Sequence, residues 1–506
     1  MAYAGEAKEA ERLWEMGQKA YDAKRYNEAL SYYQKSLSLC KDNLECKSAN
    51  LNGLGRVYEA LGDDVKALPY YEETLKIERL RNNRDGIATN LFNVGAIYYA
   101  KAIDFEKAYS LLDESQRLFR ELKDRESLAL VLHYIGKVAL SLGRYERALS
   151  SFNESIKINK ELNNQQAVAA NLNLIGNVYS SLGQYDKPLQ YYQEALEINK
   201  KLNNKQETAT ALRNIGDAYC DLLQFDRALS YYENALEMQK KLNLHSDMII
   251  TLNNIAGLYK DLNQYDKALS YYENALKIAR EFNNTPEIAV VLNNIGNVYG
   301  TIGKSDAALS YYKQSLNLEK KLNRPIRITT VLNNFGMEYF RIGQYNQALY
   351  YLNEALKIDR KIDNPHNTAL RLNNIGSVYL RQKKHKEAER VFIERKELER
   401  RITKTRLIHP GLETLYILTK RYDNALNLLS MPYRQPTWRS NKNYSMEYYT
   451  LYGHALKGKG MLKESASALL KAVSISEEMR QKVGEKESFF AGGGYIRRLT
   501  PHRLLV

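Results

Sequence analysis

The chain has 506 residues, 40 of them tyrosine and only 9 proline, with a formal net charge of +15. That length argues against one compact globule, and the composition, rich in Ala, Leu, Lys, Glu and Asn, argues against a sheet protein. No apolar run is long enough to cross a bilayer, so a membrane partner is not expected.

The N-terminal segment MAYAGEAKEAERLWEMG is charged and helical and has no apolar h-region, which predicts a chain that stays in the cytoplasm. Cys40, Cys46 and Cys220 form neither a CxxC nor an even framework. They predict free thiols in a reducing compartment rather than a disulfide scaffold or a cysteine-bound zinc.

From the first helix onward, a block like LNNIGNVY is followed after about twelve residues by a block like ALSYY, nine times over. The small residue of the first block falls at Gly136, Gly176, Gly216, Ala256, Gly296, Gly336 and Gly376, with earlier copies at Gly95, Gly55 and Gly17. A fixed period of this size marks a solenoid of helix pairs. In residues 169–203, Leu172, Ile175, Gly176 and Tyr179 share one side of a first helix. Gly183 is placed to stop that helix in a left-handed conformation. Asp186 is expected to cap the second helix, with Pro188 in its first turn, and Leu189, Tyr192, Ala195 and Leu196 form its inward face. No proline stops the second helix, so it is expected to run on through EINKKLNN.

The pattern resembles the tetratricopeptide repeat, whose small and large positions map onto Leu172, Gly176, Tyr179, Tyr192 and Ala195, with Pro188 as the departure. It recurs through Leu212–Ala235, Leu252–Ala275, Leu292–Ser315, Leu332–Ala355 and Leu372–Phe392. The unit is longer than usual for the family, as in the cargo-binding repeats of kinesin light chain. The resemblance implies an all-α, right-handed superhelical solenoid of helix-turn-helix units. Residues 1–400 are read as ten regular repeats, and residues 401–475 as two degenerate or capping pairs with a loop at 431–445. Residues 476–506 are read as a basic tail, whose aromatic pair and glycine run resemble the connector of bacterial tetratricopeptide–CHAT proteins.

The charge is unevenly placed. Residues 377–506 hold 26 Lys/Arg against 13 Asp/Glu, which leaves a nearly balanced 48 against 46 for residues 1–376. A nucleic-acid partner, the lesser alternative, would therefore use the last quarter.

The family resemblance puts the first helices on the concave side. Their least apolar positions carry Asn173, Asn177, Asn214, Asn254, Asn294, Asn297, Asn334 and Asn374. Asparagine is a mediocre helix former, so its recurrence needs a reason. An amide that both donates and accepts suits the main chain of an extended ligand, and it equally suits a bond to the neighbouring repeat. Along the same face Lys137 is basic, Asp217, Asp221 and Asp261 are acidic, and Arg341 and Arg381 are basic again. The pairs Tyr191/Tyr192, Tyr231/Tyr232, Tyr271/Tyr272 and Tyr311/Tyr312 read as packing residues rather than base-stacking platforms.

Nothing in the sequence assembles into catalysis. GHALKGKG (453–460) approaches a phosphate loop, but Gly460 stands where a magnesium-binding hydroxyl is needed and no strand precedes it. The seven histidines lack metal-ligand spacing. The expectation is a scaffold or adaptor, without cofactor or metal, that holds a protein or peptide in its groove. The sensing half of a protease or signalling system is the alternative.

Overall fold

The computed structural model describes residues 2–101, 104–362, 364–402, 411–430 and 442–483. They form 24 helices and, among the described residues, no strand. Two compact units divide at residues 178 and 179. The first holds α1 (Ala2–Asp22), α2 (Tyr26–Leu39), α3 (Leu44–Ala60), α4 (Asp64–Leu80), α5 (Arg84–Ala100), α6 (Phe105–Leu122), α7 (Arg125–Ser141), α8 (Tyr145–Glu161) and most of α9 (Gln165–Ser181).

The second continues with α10 (Pro188–Lys201), α11 (Lys205–Asp221), α12 (Phe225–Lys241), α13 (His245–Asp261), α14 (Tyr265–Glu281), α15 (Thr285–Thr301) and α16 (Ser305–Lys321). Then come α17 (Pro325–Arg341), α18 (Tyr345–Lys361), α19 (Pro365–Arg381) and α20 (His385–Ile402). The last are α21 (Gly411–Leu418), α22 (Tyr422–Ser430), α23 (Lys442–Gly458) and α24 (Leu462–Val483). In chain order, leaving aside α9 and α10 at the division, these make nine regular pairs, followed by α21 with α22 and α23 with α24.

The period of 40 has a simple origin. Helices of 17 residues, such as α11 and α12, alternate with three-residue turns. The second helix does not run on through EINKKLNN, because two adjacent asparagines divide the work of stopping and starting. Asn203 takes φ 56°, a left-handed conformation that asparagine tolerates, and ends α10. Asn204 then accepts the backbone N–H of Glu207 at 3.2 Å and caps α11. Asn163/Asn164 and Asn283/Asn284 repeat the device.

Asp186 does not cap α10. That helix begins at Pro188, with Lys187 before it and no side-chain cap. A helix starting at Tyr185 would need the residue-188 N–H for its first bond, and proline has none, so α10 is one turn shorter than its fellows. Gly183 ends α9 at φ 69°, as its position predicts. Residues 442–445 are the start of α23 rather than loop, and α24 extends through 476–483. The rest of the loop and of the tail lies outside the described residues.

In most of the regular pairs a second-helix ring presses into the first-helix glycine, and Leu112 and Leu352 take the ring's place against Gly95 and Gly336. A Cβ on Gly216 would stand 2.6 Å from the Tyr232 ring, and one on Gly136 would stand 2.4 Å from Phe152. The second tyrosines of the YY pairs are core, with Tyr232 and Tyr272 each 2% exposed. The first ones stack on a first-helix tyrosine, Tyr219 on Tyr231 and Tyr259 on Tyr271 with centroids 5.4 Å apart. Packing, not base recognition, uses these rings.

The expectation of three free thiols fails for two of them. Cys40, the residue that closes α2, and Cys46, in the first turn of α3, are joined as a disulfide across the intervening turn, with Cα atoms 5.4 Å apart. Their six-residue separation matches no familiar motif; the turn alone brings them together.

Candidate partner-binding face

First helices of successive pairs touch: α1 with α3 and α5 with α7 in the first unit, and α11, α13, α15, α17, α19 and α21 in series in the second. Their outward positions therefore form a surface within each unit. The predicted residues from Asp217 to Arg381 are carried by these first helices, but most already have work. Asn254 donates Nδ2 to Asp217 Oδ1 at 2.8 Å, Asn294 to Asn253 at 2.9 Å, Asn334 to Asn293 at 2.9 Å, and Asn374 to Asn333 at 2.7 Å. Arg395 of α20 closes the series by donating to Asn373 at 2.6 Å. The second asparagine of each pair thus grips the preceding repeat, and the double asparagine is an inter-repeat ladder.

Other members are engaged from beneath. The buried Tyr312 donates its hydroxyl to Asn297 at 2.8 Å, and Tyr232 donates to Asp217 at 2.6 Å. Arg341 lies along Glu338 and reaches Ser305. Asn173 and Asn214 are buried, at 7% and 9% exposure, and Asn177 lies one turn beyond Asn173 on α9. Asp221 and Arg381 stay exposed, with Asp261 half-exposed beside Lys260. The member that sequence reading missed is Arg395, which lies on a second helix and follows no repeat-wide pattern.

Electrostatically, α11 carries the distinctive feature. Burial raises the Asp217 carboxyl above its ordinary value, and the bonds from Tyr232 and Asn254 only partly oppose this. Asp221 reaches solvent, yet the wall around it, together with the Asp217 charge, pushes it up to about 6. The Cys220 thiol is pushed up to about 12, chiefly by burial, so it is no nucleophile. The folded state therefore holds a proton on Asp221 that the unfolded chain, titrating near ~3.9, has lost. Stability is expected to fall as pH rises from about 4 to about 6. Asp221→Asn should flatten this slope and leave the variant the more stable protein at pH 8, as read from urea midpoints. Equal slopes would refute the assignment.

GHALKGKG is the end of α23 and its turn, and Lys459 pairs with Asp423 at 2.8 Å. Among the described residues no group of acidic, histidine or cysteine side chains is arranged to hold a metal. Likewise no helix there is long and apolar enough to cross a membrane.

Antiparallel helix pairs, a glycine under a second-helix ring and a fixed 40-residue period define a helix-pair repeat protein. More particularly, the chain belongs to the tetratricopeptide repeat family, whose models match residues 9–79, 82–161, 167–241, 247–321, 327–397 and 447–479. Over 113 residues it is 31% identical to the Photosystem I assembly protein Ycf3 of Acaryochloris marina (strain MBIC 11017), covering 22% of this chain. The chain spans 63% of that relative's length.

A crystal structure of a Rap protein complexed with Competence and Sporulation Factor is similar, with TM-score 0.49 and 15% identity, over 71% of this chain and 99% of that one. BtubC (BKLC) from P. vanneervenii is similar at TM-score 0.38 and 21% identity, over 44% and 92%. Proteins of this family generally work by binding other proteins.

Proposed function

We propose that the chain is a non-catalytic scaffold that holds an extended peptide or partner helix on its first-helix face. One observation carries this reading. The ladder uses one N–H of each second asparagine and the oxygen of each first; in the middle pair the remaining groups meet each other, Asn293 Nδ2 donating to Asn294 Oδ1 at 3.5 Å, and in the pairs on either side they are left over. Asn254 and Asn334 keep Oδ1, and Asn253 and Asn333 keep Nδ2, without a hydrogen bond among the described residues. One acceptor and one donor in each of these two repeats match the N–H and C=O of a peptide main chain.

A photo-crosslinking residue tests the face directly. Placed at Met337, beside the ladder on α17, it should capture a partner from cell extract; placed at exposed Lys357 on the second helix α18, it should not. Equal capture at both would remove the assignment. The purified chain should also neither hydrolyse ATP nor cleave peptides. Turnover lost on Lys459→Ala would overturn the non-catalytic reading.

A further inference from the structure

The second helix α24 packs on α23 and follows the register of the regular pairs. Its Leu469 meets Gly453 as Phe392 meets Gly376 and Tyr232 meets Gly216. Four residues beyond that contact, α12, α14 and α18 carry Leu236, Leu276 and Leu356, which are 6–8% exposed because the next first helix covers them. Val473 occupies that place in α24 and is 51% exposed.

The residue directly after the contact behaves differently. In the regular pairs it faces water and is polar, as Glu233, Glu273, Lys313 and Asn353, with Ile393 of α20 as the departure. In α24 it is Leu470, 69% exposed. A further helix laid on α24 in the manner of a next repeat would cover Val473 and leave Leu470 in water. Continuation of the stack therefore does not account for this surface.

Leu470 and Val473 belong to a stripe with its own charge pattern. Positions 463, 466, 470, 473 and 477 follow a three-four spacing and share one side of the helix. They carry Lys463, Ala466, Leu470, Val473 and Glu477, all exposed. The centre is apolar, with a cation at one end and an anion at the other, and Leu462, 66% exposed, borders it. Neither Lys463 nor Glu477 has an ion pair or hydrogen bond among the described residues. Lys471 lies off the stripe, with Nζ 4.9 Å from the centre of the Tyr449 ring.

We propose that α24 pairs antiparallel with α24 of a second copy of this chain, about a twofold axis at Leu470. Lys463 and Glu477 stand seven residues to either side of Leu470. Antiparallel pairing therefore sets Lys463 of each copy against Glu477 of the other, the self-complementarity that a twofold contact requires. Val473 then falls beside the small Ala466 of the second copy. Parallel pairing would oppose lysine to lysine and glutamate to glutamate. The stripe spans about four helical turns, roughly 21 Å, which is small for a permanent interface, so the dimer is reversible.

The test is sedimentation equilibrium of the full chain in low salt, from about 1 to about 100 µM, where the particle mass should double with concentration. Leu470→Glu should stay monomeric throughout. It should also stay as helical by circular dichroism, since glutamate already stands at this place in α12 and α14. Lys463→Glu and Glu477→Lys should each weaken the dimer about tenfold, and the two together should restore it.

A wild-type chain that remains monomeric overturns the proposal. If the thiol of Leu470→Cys resists maleimide in that monomer, the stripe is covered by residues 484–506 instead. A dimer equally strong in Leu470→Glu lies elsewhere on the molecule and overturns it as well. Weakening by both charge reversals without recovery in the double exchange overturns the antiparallel pairing.

Discussion

Arg371→Ala is expected to destabilise the chain by about 3–5 kcal/mol, because it strands a buried carboxylate. Arg371 and Asp359 are 2% and 0% exposed, with Nε 3.1 Å from Oδ2, at the junction between α18 and α19. Burial pushes the aspartate up and the arginine down, and each is partly restored by its partner. Remove the arginine, and desolvation of Asp359 is opposed only by the hydrogen bonds from Thr329 and Asn367. Replacing both, as Asp359→Leu with Arg371→Met, should return most of the loss, since apolar residues of similar volume satisfy such a site. In a repeat array the damage falls on one interface, so urea unfolding of the single variant should split into two phases. A double variant as unstable as the single one would show that shape, not charge, holds this junction.

Phe392→Ala is the other large effect expected, again about 3–5 kcal/mol for a fully buried ring. The Phe392 ring of α20 is gripped from two directions. A Cβ on Gly376 of α19, or on Gly411 at the start of α21, would stand 2.3 Å from it. The same ring therefore closes the last regular pair and seats the following helix. Its loss should release α21 and α22, and hydrogen exchange should accelerate at least tenfold there while α11–α17 stay protected. Gly411→Ala, which forces its methyl group against the ring, should give the same local signature. Faster exchange spread evenly over the whole chain would contradict this role.

The helix pairs were legible because their signals are local and repeated. Gly216 beneath Tyr232 and Gly183 at a helix end follow from spacing and residue type alone. The asparagines were only half legible. Their recurrence marked a special face, but whether Asn294 meets a ligand or Asn253 depends on how two repeats are set beside each other, which no single unit states. The same limit hid the disulfide, since Cys40 and Cys46 approach only through the turn joining α2 to α3.

The asparagine ladder also constrains how such a protein lengthens. Every rung points the same way, from a later amide to an earlier oxygen, and the ends differ: Asp217 only accepts, and Arg395 only donates. A 40-residue unit copied into the interior brings its own donor and its own acceptor, so both new seams close without any further substitution. A unit added beyond α20 would bring a donor to Asn373, whose oxygen Arg395 already occupies. Growth by tandem copying is thus mutation-free in the middle of the series and obstructed at its C-terminal border, which makes α13 to α19 a region where whole repeats can be gained or lost in a single genetic event.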